Sequence, residues 1–462
     1  MSQHSDSLML GHFFFILNDL LFGGAETNMG RKGKKAIAAV ICNYNKSQYV
    51  TECIQSVLES AFTDFDVIVV DNASTDDSVK RIKEKYEDEV TLLVNAENLG
   101  GSGGFNTGIR YALEHDYSYV WCLDNDVLVD EKAIGELYSF LEKHAEAGMA
   151  GSKVYHMEAP DYVQQFGIDI DWEDFCCEAK YCNFLEDGTM PEVVYSDAVA
   201  ACSVLVRTSL IREIGMLPED NFLYWDDTEW GYQCNLAGYK VASVGASKVL
   251  HCMGAKKEGG NTFPTYYAWR NWLQFFIRYT EEEKLERMCE SFLEGIFEIV
   301  YDGYYKGEIN RARTVMFAYD DAIHGVKGRA MENRIFEVDK NSSKLSDLLK
   351  GLSCVKIKKQ EEDLEAEELK AWILEISPGM ELWEEAAADS STGSCQKTFI
   401  LCRNIFSLED YSLKDIYVDI EGRILATEED VFKVFNKAYS YQTFLYTQKP
   451  LFLEQARKLR KG

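Results

Sequence analysis

Short apolar runs alternate with longer amphipathic stretches through the first third of the chain. Residues 36–42 (AIAAVIC), 66–70 (DVIVV), 90–94 (VTLLV), 118–123 (SYVWCL) and 149–155 read as strands. The first is apolar at nearly every position, the mark of a strand covered on both faces rather than one. Residues 47–60, 76–86, 104–114 and 130–143 read as helices between them. Strand and helix in strict alternation predict a doubly wound, mostly parallel α/β sheet with right-handed crossovers. Residues 156–250 are mixed and belong to the same unit, with a strand at 241–250. Residues 264–335 turn helical and rich in aromatics, and 336–462 read as a small α/β region. There a charged helix spans 360–372, a Ser/Gly loop 389–396, strands lie near 397–402 and 415–420, and a helix starts at about 427. The expected division is a lead-in at 1–34, poorly ordered; a catalytic domain at 35–263; a helical segment at 264–335; and an accessory region at 336–462.

In open α/β sheets ligands sit outside the carboxyl ends of the strands, so the loops at those ends matter most. They read Asn43-Tyr44-Asn45, then Asp71-Asn72-Ala73-Ser74-Thr75-Asp76-Asp77, then Asn98-Leu99-Gly100-Gly101-Ser102-Gly103-Gly104-Phe105, then Asp124-Asn125-Asp126. One edge of one sheet would gather all four.

Composition narrows the partners. A formal charge of −29 argues against nucleic acid, which needs clustered Lys and Arg. The basic run Arg31–Lys35 reads as a solvated lead-in to the first strand. The apolar stretch 13–22 is too short to span a bilayer and contains Asn18 and Asp19. The thirteen cysteines are scattered, many in apolar runs, which is how buried thiols are used in a reducing compartment. A cytoplasmic protein with no transmembrane span is expected, peripheral at the inner face of a membrane if its acceptor is lipid-linked.

The acidic loops carry the candidate chemistry. Asp124 and Asp126, spaced by Asn125 after an apolar strand, suit a divalent cation with oxygen ligands. The same residues would also serve as a turn and helix cap. Asp71 could accept hydrogen bonds from a base or ribose, or cap a helix with its neighbours. The glycines at 100–104 permit close backbone approach to a ligand ahead of a helix, though no P-loop lysine follows. Trp225-Asp226-Asp227-Thr228-Glu229-Trp230 offers Asp227 as a general base, or simply an acidic first turn. His251 ends an apolar strand and could complete a metal site with Asp126. Cys176, Cys177 and Cys182 lack paired metal-ligand spacing.

Together these segments resemble the family 2 inverting glycosyltransferases of the GT-A fold. The resemblance rests on ICNYNK at 41–46, VVDNASTDDS at 69–78, NLGGSGGFNTG at 98–108, LDND at 123–126, FLYWDDTEWGYQCNLAGY at 222–239, His251, YYAWRN at 266–271 and HGVKGR at 324–329. It covers about residues 36–330 and is most similar to the galactofuranosyltransferase and rhamnosyltransferase branches. It implies a Mn2+ or Mg2+ ion held by Asp124, Asp126 and His251, and Asp227 as the base of a single inverting displacement. It further implies donor contacts from Asn43, Asp71, Asn98, Gly100, Gly101, Asp124 and Asn125, with Asp71 at the base of the nucleotide and Trp225 lining the sugar or acceptor pocket. Gln233 stands where many members carry arginine.

The expected activity is transfer of galactofuranose or rhamnose from a UDP- or dTDP-linked donor to a glycan or lipid-linked glycan in cell-surface polysaccharide synthesis. Another UDP-hexose donor, a catalytically silent sugar-nucleotide-binding partner and a nucleotidyltransferase are the other readings. Homo-oligomerisation is left open.

Overall fold

The computed structural model describes residues 35–252, 260–339, 343–384 and 395–461. The expected lead-in at 1–34, the apolar stretch within it and most of the loop at 389–396 lie outside the described residues.

The strands are β1 (Ile37–Asn43), β2 (Phe65–Asp71), β3 (Val90–Val94), β4 (Tyr119–Asp124), β5 (Val127–Val129), β6 (Ala147–His156), β7 (Ala159–Gln165), β8 (Ile168–Asp171), β9 (Cys176–Ala179), β10 (Val193–Ser196), β11 (Ser203–Arg207) and β12 (Lys240–His251). Apart from the separate pair β8–β9, they form one sheet in the order β10-β12-β6-β11-β4-β1-β2-β3, with β5 on β12 and β7 on β6. β3, β2, β1 and β4 pair in parallel. β11 runs antiparallel to both β4 and β6, so the sheet is mixed beyond β4. β1 shows why the apolar run was legible. Ile37, Ala39 and Ile41 pack with Val50 and Ile54 on one face, while Ala38 and Val40 pack with Phe105 and Ile109 on the other.

The chain reverses direction across the sheet between β1 and β4, because β2 and β3 lie to one side of β1 and β4 to the other. That switch point opens a crevice at the carboxyl ends. Asn43, Asp71 and Asp124 are the last residues of β1, β2 and β4. β12 pairs with β5 through His251↔Val127, which brings a residue remote in sequence to the same edge.

Two expectations on boundaries are corrected. The helix expected at 104–114 begins at Gly100 and runs to Glu114, so the glycines form its first turn. In the C-terminal part the helix expected at 360–372 spans Glu367–Ile376. The C-terminal sheet comprises β13 (Cys354–Lys359), β14 (Glu381–Glu384), β15 (Lys397–Cys402), β16 (Ile416–Asp419) and β17 (Ile424–Leu425), in the order β14-β13-β15-β16-β17. Cys354 and Cys395 form a disulfide there, where free thiols were expected; the other described cysteines are free.

Helices Phe263–Tyr279, Leu285–Lys306 and Ile309–Ile323 share a core through Leu273, Phe276, Phe292 and Val315. The last helix, Lys437–Leu459, packs Phe452 and Ala456 into that same core. Among the described residues no helix is long and apolar enough to cross a membrane.

Candidate active site

Asp124 and Asp126 follow an apolar strand, and the short β5 then pairs the chain with β12. That pairing delivers His251 opposite the two carboxylates. Its Nε2 lies 3.4 Å from Asp126 Oδ1 and 3.7 Å from Asp124 Oδ2. The three ligand atoms lie within 4.8 Å of one another. Asp126 is buried, and Lys46 Nζ sits 2.5 Å from its Oδ2. Burial opposes ionisation of Asp126, but His251 and Lys46 outweigh it and hold the carboxyl below its ordinary value. Asp124 is pushed up to about 6, first by withdrawal from water and then by Asp126 and Asp227, with His251 and Lys46 pulling the other way.

Asp227 lies near enough for its charge to raise Asp124. Its Oδ2 accepts from the backbone N–H of Ala201 at 3.3 Å, while the adjacent Cys202 carbonyl accepts from the N–H of Asp124 at 3.2 Å. Successive residues of one turn thus hold the Asp227 carboxylate and the Asp124 backbone. Burial raises Asp227, against the pull of the Ala201 and Thr228 donors. Asp226 is more deeply buried and accepts from Ser102 Oγ at 2.9 Å. Burial and then the charge of Asp227 push it up to about 7.

The backbone before this pair is contorted. Phe222, Tyr224 and Trp225 have φ of 64°, 63° and 66°, a region that side chains larger than glycine enter at a cost. The YYAWRN motif is what holds them. Arg270, wholly buried, donates to the carbonyls of Asn221 (2.9 Å), Asp220 (3.3 Å) and Gly328 (2.7 Å). Its Nε donates to Asn271 Oδ1, which leaves Asn271 Nδ2 to donate to the carbonyls of Asn221, Leu223 and Tyr224 at 2.9, 2.7 and 3.0 Å. HGVKGR supplies the Gly328 carbonyl to the same clamp.

The other expected residues gather at the ends of β1 and β2. Asn43 donates to Asp71 Oδ2 at 2.9 Å and accepts from Asn125 Nδ2 at 2.7 Å. Asp71 is wholly buried, and its second oxygen accepts from the N–H of Ser74, so it presents no open surface of its own. Asn98 Oδ1 accepts from Asn72 Nδ2 and from the N–H of Gly100. Neighbouring elements press closely on several of these glycines. A Cβ on Gly100 (φ +78°) would stand 2.1 Å from the Phe222 carbonyl oxygen, and one on Gly104 2.4 Å from Cys42 Sγ. Gly101 is less tightly held, with Leu223 Cδ1 at 3.4 Å. Trp225 stacks at 8° on Trp272 and, with Tyr224 and Trp269, lines a cavity of about 620 Å³. Gln233 Nε2 donates to Tyr279 Oη. Lys46, Ser102 and Gln164, whose amide reaches His251 Nδ1 at 2.7 Å, were not foreseen from the sequence.

Residues 38–187 match Glycosyl transferase family 2. The match is narrower than the motif resemblance and includes Asn43, Asp71, Asn98 and Asp124–Asp126, while Trp225, Asp227 and His251 lie beyond it. With the mixed sheet and its crevice, the fold is the α/β GT-A arrangement of that family. An uncharacterized glycosyltransferase of Haemophilus influenzae is 25% identical over 223 residues, 45% of this chain and 64% of its own. Glycosyltransferase GlyG of Streptococcus pneumoniae is 28% identical over 145 residues, 31% of this chain and 46% of its own. The poly(ribitol-phosphate) beta-N-acetylglucosaminyltransferase TarS of Staphylococcus aureus is 30% identical over 112 residues, 23% of this chain and 19% of its own. The chain therefore spans less than two thirds of the length of each of these relatives. A crystal structure of S. aureus TarS superposes with a TM-score of 0.42 at 16% identity, covering 64% of this chain and 50% of that one.

The cluster fits a divalent cation. Two carboxylates and one imidazole nitrogen are a donor set that Mn2+ or Mg2+ accepts. The Lys46 ammonium against Asp126 shows that the buried carboxylate is already compensated by a cation.

Proposed function

We propose that this chain is a metal-dependent inverting glycosyltransferase that moves a sugar from a nucleotide-diphosphate donor to a glycan hydroxyl in cell-surface polysaccharide synthesis. The observation that carries the reading is the meeting of Asp124, Asp126 and His251 at the switch point, with Asp227 tied to the same turn as Asp124. A divalent ion bound by Asp124, Asp126 and His251 would supply charge neutralisation for the departing diphosphate. The chain's own residues supply the rest. Asp227, raised by burial yet still an acceptor, takes the proton of the attacking hydroxyl. Attack from the side opposite the diphosphate breaks the glycosidic bond in one displacement and inverts the anomeric centre. Asn43, Asn98, Asn125, Gly100 and Gly101 shape the nucleotide side, with Asp71 acting through the Asn43 and Ser74 groups it holds. Trp225 offers an aromatic face to the sugar or acceptor.

The motifs favour galactofuranose or rhamnose as the transferred sugar. The names of relatives favour a second reading for the donor alone: TarS and the poly-beta-1,6-N-acetyl-D-glucosamine synthase of Staphylococcus epidermidis handle N-acetylglucosamine. A panel of UDP- and dTDP-sugars, assayed for manganese-stimulated hydrolysis with Asp126→Ala as the control, tests the reading. Turnover of one donor that is lost in the variant supports it. Nucleotide binding with no turnover of any donor would instead fit a silent sugar-nucleotide-binding protein.

A further inference from the structure

Gln164 lies in β7, the return strand of the hairpin with β6, and is 7% exposed. It belongs to none of the sequence motifs. Its side chain nonetheless sits in a continuous hydrogen-bonded line that starts at the carboxylate cluster. His251 Nδ1 is 2.7 Å from Gln164 Oε1. Gln164 Nε2 is 3.4 Å from His156 Nδ1, and His156 Nε2 is 3.0 Å from Asn183 Oδ1.

The line has a direction. An amide oxygen only accepts and an amide nitrogen only donates. Asn183 Oδ1 takes the Nε2–H of His156, so His156 Nδ1 carries a lone pair and accepts from Gln164 Nε2. That leaves the Oε1 end of Gln164 for His251, whose Nδ1 must carry the proton. With Nδ1 so engaged, Nε2 is the nitrogen that faces Asp124 and Asp126, and a cation there would replace the proton that the two carboxylates otherwise favour on it. An amide turned the other way would place its NH2 against Nδ1, force the proton onto Nε2 and block that nitrogen from a cation.

We propose that Gln164 is a positioning residue of the metal centre, which fixes the tautomer and ring orientation of His251 through its side-chain oxygen. The inference rests on the reading of Asp124, Asp126 and His251 as cation ligands. Partners of this kind typically change metal affinity by about 10- to 100-fold when removed.

The test uses the full chain and Mn2+ alone, with bound ion measured by loss of the free-Mn2+ electron paramagnetic resonance signal at fixed pH. Gln164→Met keeps the volume and removes the acceptor; Gln164→Glu keeps an oxygen toward Nδ1. The expected result is about 10- to 100-fold weaker Mn2+ binding in Gln164→Met and affinity within a few-fold of the unsubstituted chain, or tighter, in Gln164→Glu. A filler of space alone would not be rescued by glutamate. Unchanged affinity in Gln164→Met, or equal loss in both variants, overturns the inference. Should Gln164→Met fail to fold, Gln164→Leu, which likewise lacks the acceptor, takes its place with the same two outcomes. If the unsubstituted chain binds no Mn2+, or Asp126→Ala binds it equally well, the ligand reading itself fails and takes this inference with it. That outcome is distinct from loss of the Gln164 effect alone.

Discussion

Removing the Asn271 amide should loosen the loop that delivers Asp226 and Asp227. The side chain bears two protons and serves three carbonyls, those of Asn221, Leu223 and Tyr224, at 2.7 to 3.0 Å. A buried hydrogen bond contributes about 1 kcal/mol net, and more where its loss strands the partner. Asn271→Ala should therefore cost about 2–3 kcal/mol. The loss falls on a segment that has little to spare, because Phe222, Tyr224 and Trp225 all hold positive φ. Left-handed conformations at such residues cost about 1 kcal/mol or more each and persist only where surrounding contacts impose them. Thermal unfolding should report a fall of about 2–3 °C in the midpoint. Turnover should fall more than nucleotide affinity does, since the loop carries the base and not the carboxylate cluster. Asn271→Asp should be worse than alanine, because it turns acceptor oxygens onto three carbonyls. A midpoint within a degree of the unsubstituted chain, with turnover unchanged, would refute the clamp.

Three further outcomes follow from the same geometry. Asp227→Asn should lower turnover by about 10²- to 10⁴-fold while leaving Mn2+ binding intact; near-normal turnover would remove Asp227 as the base. Lys46→Met should tighten Mn2+ binding in the absence of nucleotide by roughly tenfold, because the ion no longer displaces an ammonium from Asp126, and weaker binding would contradict that competition. Asp226 is pushed up to about 7 in the fold from 3.8. The folded chain therefore binds the extra proton between those values, and the penalty for ionising it grows as pH rises and is complete above the folded value. Asp226→Asn should raise the thermal midpoint at pH 8 and match the unsubstituted chain near pH 4; a lower midpoint at pH 8 would show that the charge is not penalised.

The sequence disclosed those parts of the fold and site whose signal is local. β1, β2 and β4 are apolar on both faces, and that run of residues has no other reading in a soluble sheet. Because the ends of such strands are where ligands gather, Asp124 and Asp126 could be singled out before any geometry was known. His251 ends β12 in the same way, although the pairing with Val127 that brings it to them is not written locally. What depends on distant partners was hidden. Nothing near the glycines of 100–104 reveals that Phe222, more than a hundred residues on, lies against Gly100. Gln164 carries no local signal, being one amide of an adjacent pair on a short strand. Arg270 and Asn271 were visible as a motif, but their task depends on carbonyls about fifty residues earlier in the chain. The short β5 and the pair β8–β9 offer too few residues for alternation to register.

The location of a manganese ion in crystals grown with Mn2+ and UDP bears most directly on the whole account. Anomalous scattering should place the ion at bonding distance from Asp126 and His251, with the diphosphate beside it and Asp227 across the crevice. An ion bound elsewhere, with Lys46 still on Asp126 and UDP outside the crevice, would contradict it.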